Sequence, residues 1–181
     1  MNISRKARLQ NTALTCLHCL RNLAYFTAAH EARAWAKNDF FVAIHNNFLD
    51  IFVLEWCKVL GDKNGKHFWK RSITDETDQI EFRRTLLKLL SMNECQFEDY
   101  VTQMRALRDK AIAHFDNISE IYVPSTDPAK ISAQALYVFL TSCRGCADAF
   151  PENLPDPFSF YDDVLSAGKS AYLPPKQMQD F

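Results

Sequence analysis

Glycine is scarce in this chain, with four in 181 residues. No glycine-rich phosphate loop is present, which removes the class of sites that cradle phosphates with backbone N–H groups. Proline is sparse as well, at seven, and all of it falls after position 123. A chain so poor in helix breakers at its start favours long helices there and an irregular tail. A dominant sign of charge is also missing: 21 Lys and Arg stand against 22 Asp and Glu, for a formal net charge of −1. The protein is therefore no global polyanion binder, and contact with nucleic acid has to come from a local patch. The basic start, Met1 to Arg8, lacks an apolar run of secretory length. The most apolar stretch, residues 40–60, carries Asp50, Glu55 and Lys58, charges that a bilayer rejects. These absences lead to the expectation of a soluble, cytoplasmic protein without a membrane partner. There is no internal repeat, no low-complexity tract and no Ser–His–Asp arrangement in a supporting context.

What is present is a hydrophobic fraction of 48%, enough for a real core, patterned at three- and four-residue spacing. The pattern predicts a first helix over residues 4–32 and a second over 39–60, stopped by Gly61 to Gly65. Residues 66–71 read as a connector. Thr74 reads as the cap of a third helix whose first turn holds Asp75, Glu76 and Asp78, where negative charge complements the helix dipole. Asn93 caps a fourth helix whose apolar line runs through Phe97, Val101, Met104, Ala111 and Phe115. Asp127 and Pro128 start a fifth, reaching to about Phe150, and a short amphipathic piece follows from Phe158 to Leu165. The expectation is an all-α bundle of about five main helices over residues 1–150. Residues 151–181 form a C-terminal extension, within the same domain or loosely attached.

Six cysteines occupy positions 16, 19, 57, 95, 143 and 146, two pairs of them with Cys-x2-Cys spacing. That spacing invites a four-cysteine zinc site. Cys16 and Cys19, however, lie in a helical pattern where a separation of three is simply one face, and only Cys143-Arg144-Gly145-Cys146 contains a turn glycine. Buried free thiols are the plainer reading, and no cofactor or metal is expected.

The segment from Leu107 to Asp116 reads LRDKAIAHFD. It places Arg108 and His114 six positions apart at the end of a helix, with polar Asp109 directly after the arginine. A neutral imidazole can take the proton of a ribose 2′-hydroxyl or return one to a leaving oxygen. A guanidinium can hold a phosphate bidentately and stabilise charge growing on its oxygens. Lys110, four residues before His114 on the same helical face, favours the neutral imidazole. On a straight helix, six positions put Arg108 and His114 about 120° apart and about 9 Å along the axis. Either the helix distorts, or the arginine of one copy meets the histidine of another. The structural alternative is an Arg108 paired with a carboxylate and a His114 that caps the last carbonyls of its helix.

With its helical setting, this segment resembles the signature of the HEPN family, small all-α bundles with an Arg, a following polar residue and a His after four to six intervening positions. Arg108, Asp109 and His114 match it with five residues between Arg and His. The LRDK start and AHFD end look most like members linked to phage defence and toxin–antitoxin systems. The resemblance implies a metal-independent endoribonuclease that acts on RNA and leaves 2′,3′-cyclic phosphate ends. It also implies a homodimer and a possible antitoxin or regulatory partner, with Arg108, Asp109 and His114 as catalytic residues. Asp109 would orient the arginine or a water. The alternative is a non-catalytic helical module that binds a partner or a nucleotide.

Weaker candidates are the basic strips Arg83, Arg84, Lys88 and Lys66, Lys70, Arg71, for which solvated helix surface is the plainer reading. Trp69 and His67 can stack on a base, though packing of an interhelical connector is the plainer reading. His30 and His45 lack ligand spacing with carboxylates.

Overall fold

Helix α1 (Arg5–Glu31) is the axis on which the other helices assemble. Its positions Leu9, Ala13, Cys16, Leu20, Leu23 and Ala24 recur at the helical repeat and are all buried. The Ser4 side chain caps it by accepting from the Ala7 N–H at 3.2 Å. The computed structural model describes residues 4–33, 38–109 and 122–172. Among them there is no strand, and the fold is all-α, as the pattern predicts. After α1 come α2 (Asp39–Trp56), a single turn α3 (Trp69–Ser72), α4 (Glu76–Leu90), α5 (Glu94–Leu107), α6 (Asp127–Ser142) and α7 (Pro157–Tyr172). Helices α2, α6 and α7 all pack on α1, α4 packs on α6, and α5 meets the end of α2.

The centre of the bundle is a polar knot inside apolar surroundings. Trp56 is fully buried, and its indole N–H donates to Ser132 Oγ at 2.9 Å. Tyr100 meets the same indole edge-on, with ring centroids 5.6 Å apart, and its hydroxyl donates to the Ser125 carbonyl at 2.7 Å. A second buried bond, Thr12 to Ser72 at 2.7 Å, ties α3 to α1. Each pairing satisfies a polar atom that would otherwise be buried without a partner, at about 1–3 kcal/mol.

Several boundaries differ from expectation. The second helix does not run regularly to its end. At Cys57–Gly61 it widens into i→i+5 bonding, closing with the Asp62 N–H on the Cys57 carbonyl at 2.8 Å. The wider turn lets Cys57, Val59, Leu60 and Gly61 all face inward. The connector at 66–71 contains the helical turn α3. The cap of α4 is Asp75, not Thr74, because the Asp75 carboxylate accepts from the Asp78 N–H at 3.1 Å. Asn93 caps α5 as expected, in a reciprocal box with Gln96. Helix α6 stops at Ser142, well before Phe150. Cys143 turns extended, and the Arg144–Gly145 bend closes with the Cys146 N–H on the Cys143 carbonyl at 2.9 Å. The expected extension of α5 through Ala111 and Phe115 lies outside the described residues, as does the end of the tail.

The C-terminal piece is longer than Phe158 to Leu165. Asp156 accepts from the Ser159 N–H at 2.9 Å, Pro157 takes the first helical position, and the helix continues to Tyr172. It docks on α1 through Gly168. A Cβ added there would stand 2.9 Å from Ala28 Cβ and 3.1 Å from Tyr25 Cδ1. Lys169 and Glu31 pair at 2.6 Å beside that contact. Helix α2 behaves differently. Its second half supplies Phe52, Val53 and Trp56 to the core, whereas Phe40, near its start, is exposed. The stretch Asp39–Gly61 is long and apolar enough, by length and composition, to cross a membrane.

If close helix contact at Gly168 holds α7, Gly168→Leu overpacks it. We expect chemical denaturation to show a loss of about 1–3 kcal/mol. Unchanged stability would mean that α7 does not depend on this contact.

Candidate functional site

Helix α5 ends at the arginine that the sequence singles out. Arg108 keeps helical backbone angles, and its N–H bonds back to the Met104 and Arg105 carbonyls. The guanidinium is therefore carried just past the end of α5, where the helical bonding widens at Arg108 and Asp109. The widened turn after α2 brings Asp62 to it across the bundle. Arg108 Nη1 donates to Asp62 Oδ1, and Arg108 Nε donates to Asp109 Oδ1 at 2.8 Å. The arginine side chain is only 16% exposed, against 31% for Asp62 and 53% for Asp109. The bond from Asp109, offset in part by burial, and the bond from Asp62 drive the guanidinium pKa above its already high ordinary value. Arg108 is a permanent cation here, with Nη2 unpartnered among the described residues.

Beneath the arginine lies Cys57. Its thiol points to the Met104 carbonyl, with sulfur 3.8 Å from the oxygen, and burial pushes its pKa up to about 12. It is a packing thiol rather than a nucleophile at neutral pH. Cys16 and Cys19 are likewise buried and raised well above the ordinary thiol value, chiefly by desolvation. Among the described residues no group of three or more His, Cys, Asp or Glu side chains converges as a metal site, and the described cysteines are free thiols.

Arg108 and Asp109 are thus brought together, with Asp62 added from a distant part of the sequence. His114 and Lys110 lie outside the described residues. Nothing local in the sequence marks Asp62, which had been read as part of a helix-ending loop. Its role depends on the widened turn and the packing of α5 on it.

The two basic strips meet more closely than the sequence implies. Lys70, Arg71 and Arg83 line one cleft of about 450 Å³, together with Glu94 and Glu98. Arg83 bonds to Glu94 at 2.5 Å and to Glu98 at 3.2 Å, and its guanidinium lies 4.5 Å from the Phe97 ring centre. Lys63 pairs with Glu98 at 2.9 Å. Arg83 is therefore committed to carboxylates and is not an open RNA-facing charge. Trp69 is buried, with Phe82 against its ring at 4.9 Å, so packing is its role. A second cluster escaped the sequence reading. His30 of α1 and His45 of α2 come together, ring centroids 5.9 Å apart, with Phe26 stacked on His45 at 4.5 Å. Only tertiary packing joins them.

Comparison of the chain with protein-family models, curated proteins and solved structures finds no match. The chemistry of the site therefore has to be argued from its own geometry.

Removing Asp62 leaves a largely buried guanidinium with one carboxylate. We expect Asp62→Ala to cost about 1–2 kcal/mol in urea unfolding. Asp109→Ala, at a more exposed carboxylate, should cost less than about 1 kcal/mol. The reverse order would contradict the assignment of Asp62 as the anchor.

Proposed function

We propose that this chain is a metal-independent endoribonuclease of HEPN type, cytoplasmic and acting in a defence or toxin role. The observation that carries the reading is Arg108 itself. It is a cation fixed at the tip of α5 by Asp62 and Asp109, in an all-α chain, six residues ahead of His114. Its Nη2, which has no partner among the described residues, supplies N–H donors for a phosphate oxygen, while Nε and Nη1 are held by the carboxylates. Asp109 orients the guanidinium in this reading, as its bond to Nε supports.

The chemistry is a transesterification within RNA. An imidazole takes the 2′-hydroxyl proton as the 2′-oxygen attacks phosphorus. The bond from phosphorus to the 5′-oxygen breaks, and that oxygen leaves with a proton. Arg108 stabilises the charge on the non-bridging oxygens. The products are a 2′,3′-cyclic phosphate and a 5′-hydroxyl. Arg108 with two carboxylates has a formal local charge of −1, which opposes an incoming phosphate. The phosphate is therefore met at the Nη2 edge, the side of the guanidinium away from its bonds to Asp62 and Asp109.

Two copies build the site. In this reading Arg108 of one chain meets His114 of a second, as the family resemblance implies. The exposed apolar start of α2, with Phe40, is available for self-association. An antitoxin or other regulatory protein would hold the activity in check.

One observation favours a second reading. Both carboxylates on Arg108 are what a structural ion pair would show, and in that case the chain is a non-catalytic interaction or nucleotide-binding module. Incubation of purified protein with RNA in EDTA separates the two. Cleavage should occur, and Arg108→Ala and His114→Ala should each lower it by about 100-fold or more. Intact RNA, or activity unchanged in His114→Ala, would leave the module as the better account.

A further inference from the structure

A cavity of about 770 Å³ opens between the later part of α1 and the first half of α2. Phe26, His30, His45 and Asp50 line it, with Leu107 and Ser125 on the opposite wall. That volume is in the range that holds a small organic ligand. We propose that this cavity binds a planar heterocycle bearing an exocyclic amino group, the chemistry of adenine, guanine and cytosine. The proposal concerns binding and stands apart from cleavage at Arg108.

Three features of the walls specify that chemistry. The first is the ring array. Phe26 and His45 stack at 4.5 Å with planes 29° apart, and His30 lies near-parallel to both, at 6.1 Å from Phe26 and 5.9 Å from His45. Such an array offers π-faces on which a flat ligand can stack.

The second is the pattern of unsatisfied polar atoms. His45 Nε2 is buried and has no hydrogen-bond partner among the described residues. Burial first, and His30 beside it, lower the His45 pKa below its ordinary value, while Asn46 opposes the shift. The ring is thus neutral at pH 7. Asp50 also faces the cavity without an ion pair among the described residues, and burial raises its pKa. At pH 7 the carboxylate accepts hydrogen bonds and donates none. An amino group, with two N–H donors, complements it, whereas the carbonyl that uracil presents in the same place does not.

The third feature is the absence of cationic lining. No Lys or Arg among the described residues lines the cavity. These residues offer a phosphate no counter-charge, so among them recognition falls on the base. Leu107 in the wall directly precedes Arg108, which makes a base splayed from an RNA strand one source of the ligand. A free nucleoside or nucleotide is the other.

Titration of the full chain with adenosine, cytidine and uridine, followed by calorimetry and by the imidazole proton signals of His30 and His45, tests the proposal. Adenosine or cytidine should bind saturably and shift those signals, with uridine about tenfold weaker. Asp50→Asn should erase most of that preference. His45→Phe, which keeps the ring stack, should weaken binding in a protein whose circular dichroism is unchanged. A single-stranded adenine oligonucleotide that binds more tightly than adenosine, with the same response to both variants, identifies RNA as the source. An oligonucleotide that fails where adenosine binds identifies the free ligand. No saturable binding by any of these probes, uridine equal to the amino-bearing bases, or affinities indifferent to both substitutions would overturn the proposal.

Discussion

Burying the Trp56 indole obliges its N–H to find a partner inside the bundle, and Ser132 of α6 at 2.9 Å is that partner. Tyr100 of α5 closes on the same ring from its edge. One side chain thus sets the relative positions of three helices that are far apart in sequence. The residue immediately after it begins the widened turn Cys57–Gly61. With the indole fixed, that turn brings Asp62 to the end of α5. The position of Arg108 is therefore a consequence of core packing, with its two carboxylates completing what the core has already arranged.

Such a site is built differently from one that relies on exposed positive charge. The chain is close to neutral, and its basic cleft at Lys70, Arg71 and Arg83 is lined by Glu94 and Glu98 as well. Arg108 is held with partial burial and neutralised by carboxylates, one of them well exposed. The two carboxylates fix its Nε and Nη1, so an anion would meet the guanidinium at Nη2 in a set orientation. Their negative charge favours discrimination over raw affinity.

The sequence made the helices legible because their signals are local. The stripe from Leu9 to Ala24, the Asn93 box and the Pro157 start all lie within a few residues of the structure they specify. It misplaced features decided by competition between neighbours. Asp75 displaced Thr74 as a cap because its carboxylate reaches the Asp78 N–H. The end of α6 fell at Ser142, where the Arg144–Gly145 bend turns the chain, although the apolar pattern runs on to Phe150. At the site, Arg108 and Asp109 were visible as neighbours in a motif. Asp62, His45 and Asp50 were not, because only the crossing of distant helices gives them a common purpose. Widening of a helix by one residue leaves no clear mark in side-chain periodicity, and that widening is what brings Asp62 into play.

The central claim is that Arg108 serves phosphodiester chemistry that depends on the ribose 2′-hydroxyl. Its most direct test is a matched pair of oligonucleotides, one all RNA and one with a single 2′-deoxy substitution at the mapped cleavage position, each incubated in EDTA. The account predicts cleavage of the first to a 2′,3′-cyclic phosphate and no cleavage of the second at that position, with both bound equally. Cleavage of the deoxy-substituted strand at the same site would contradict it.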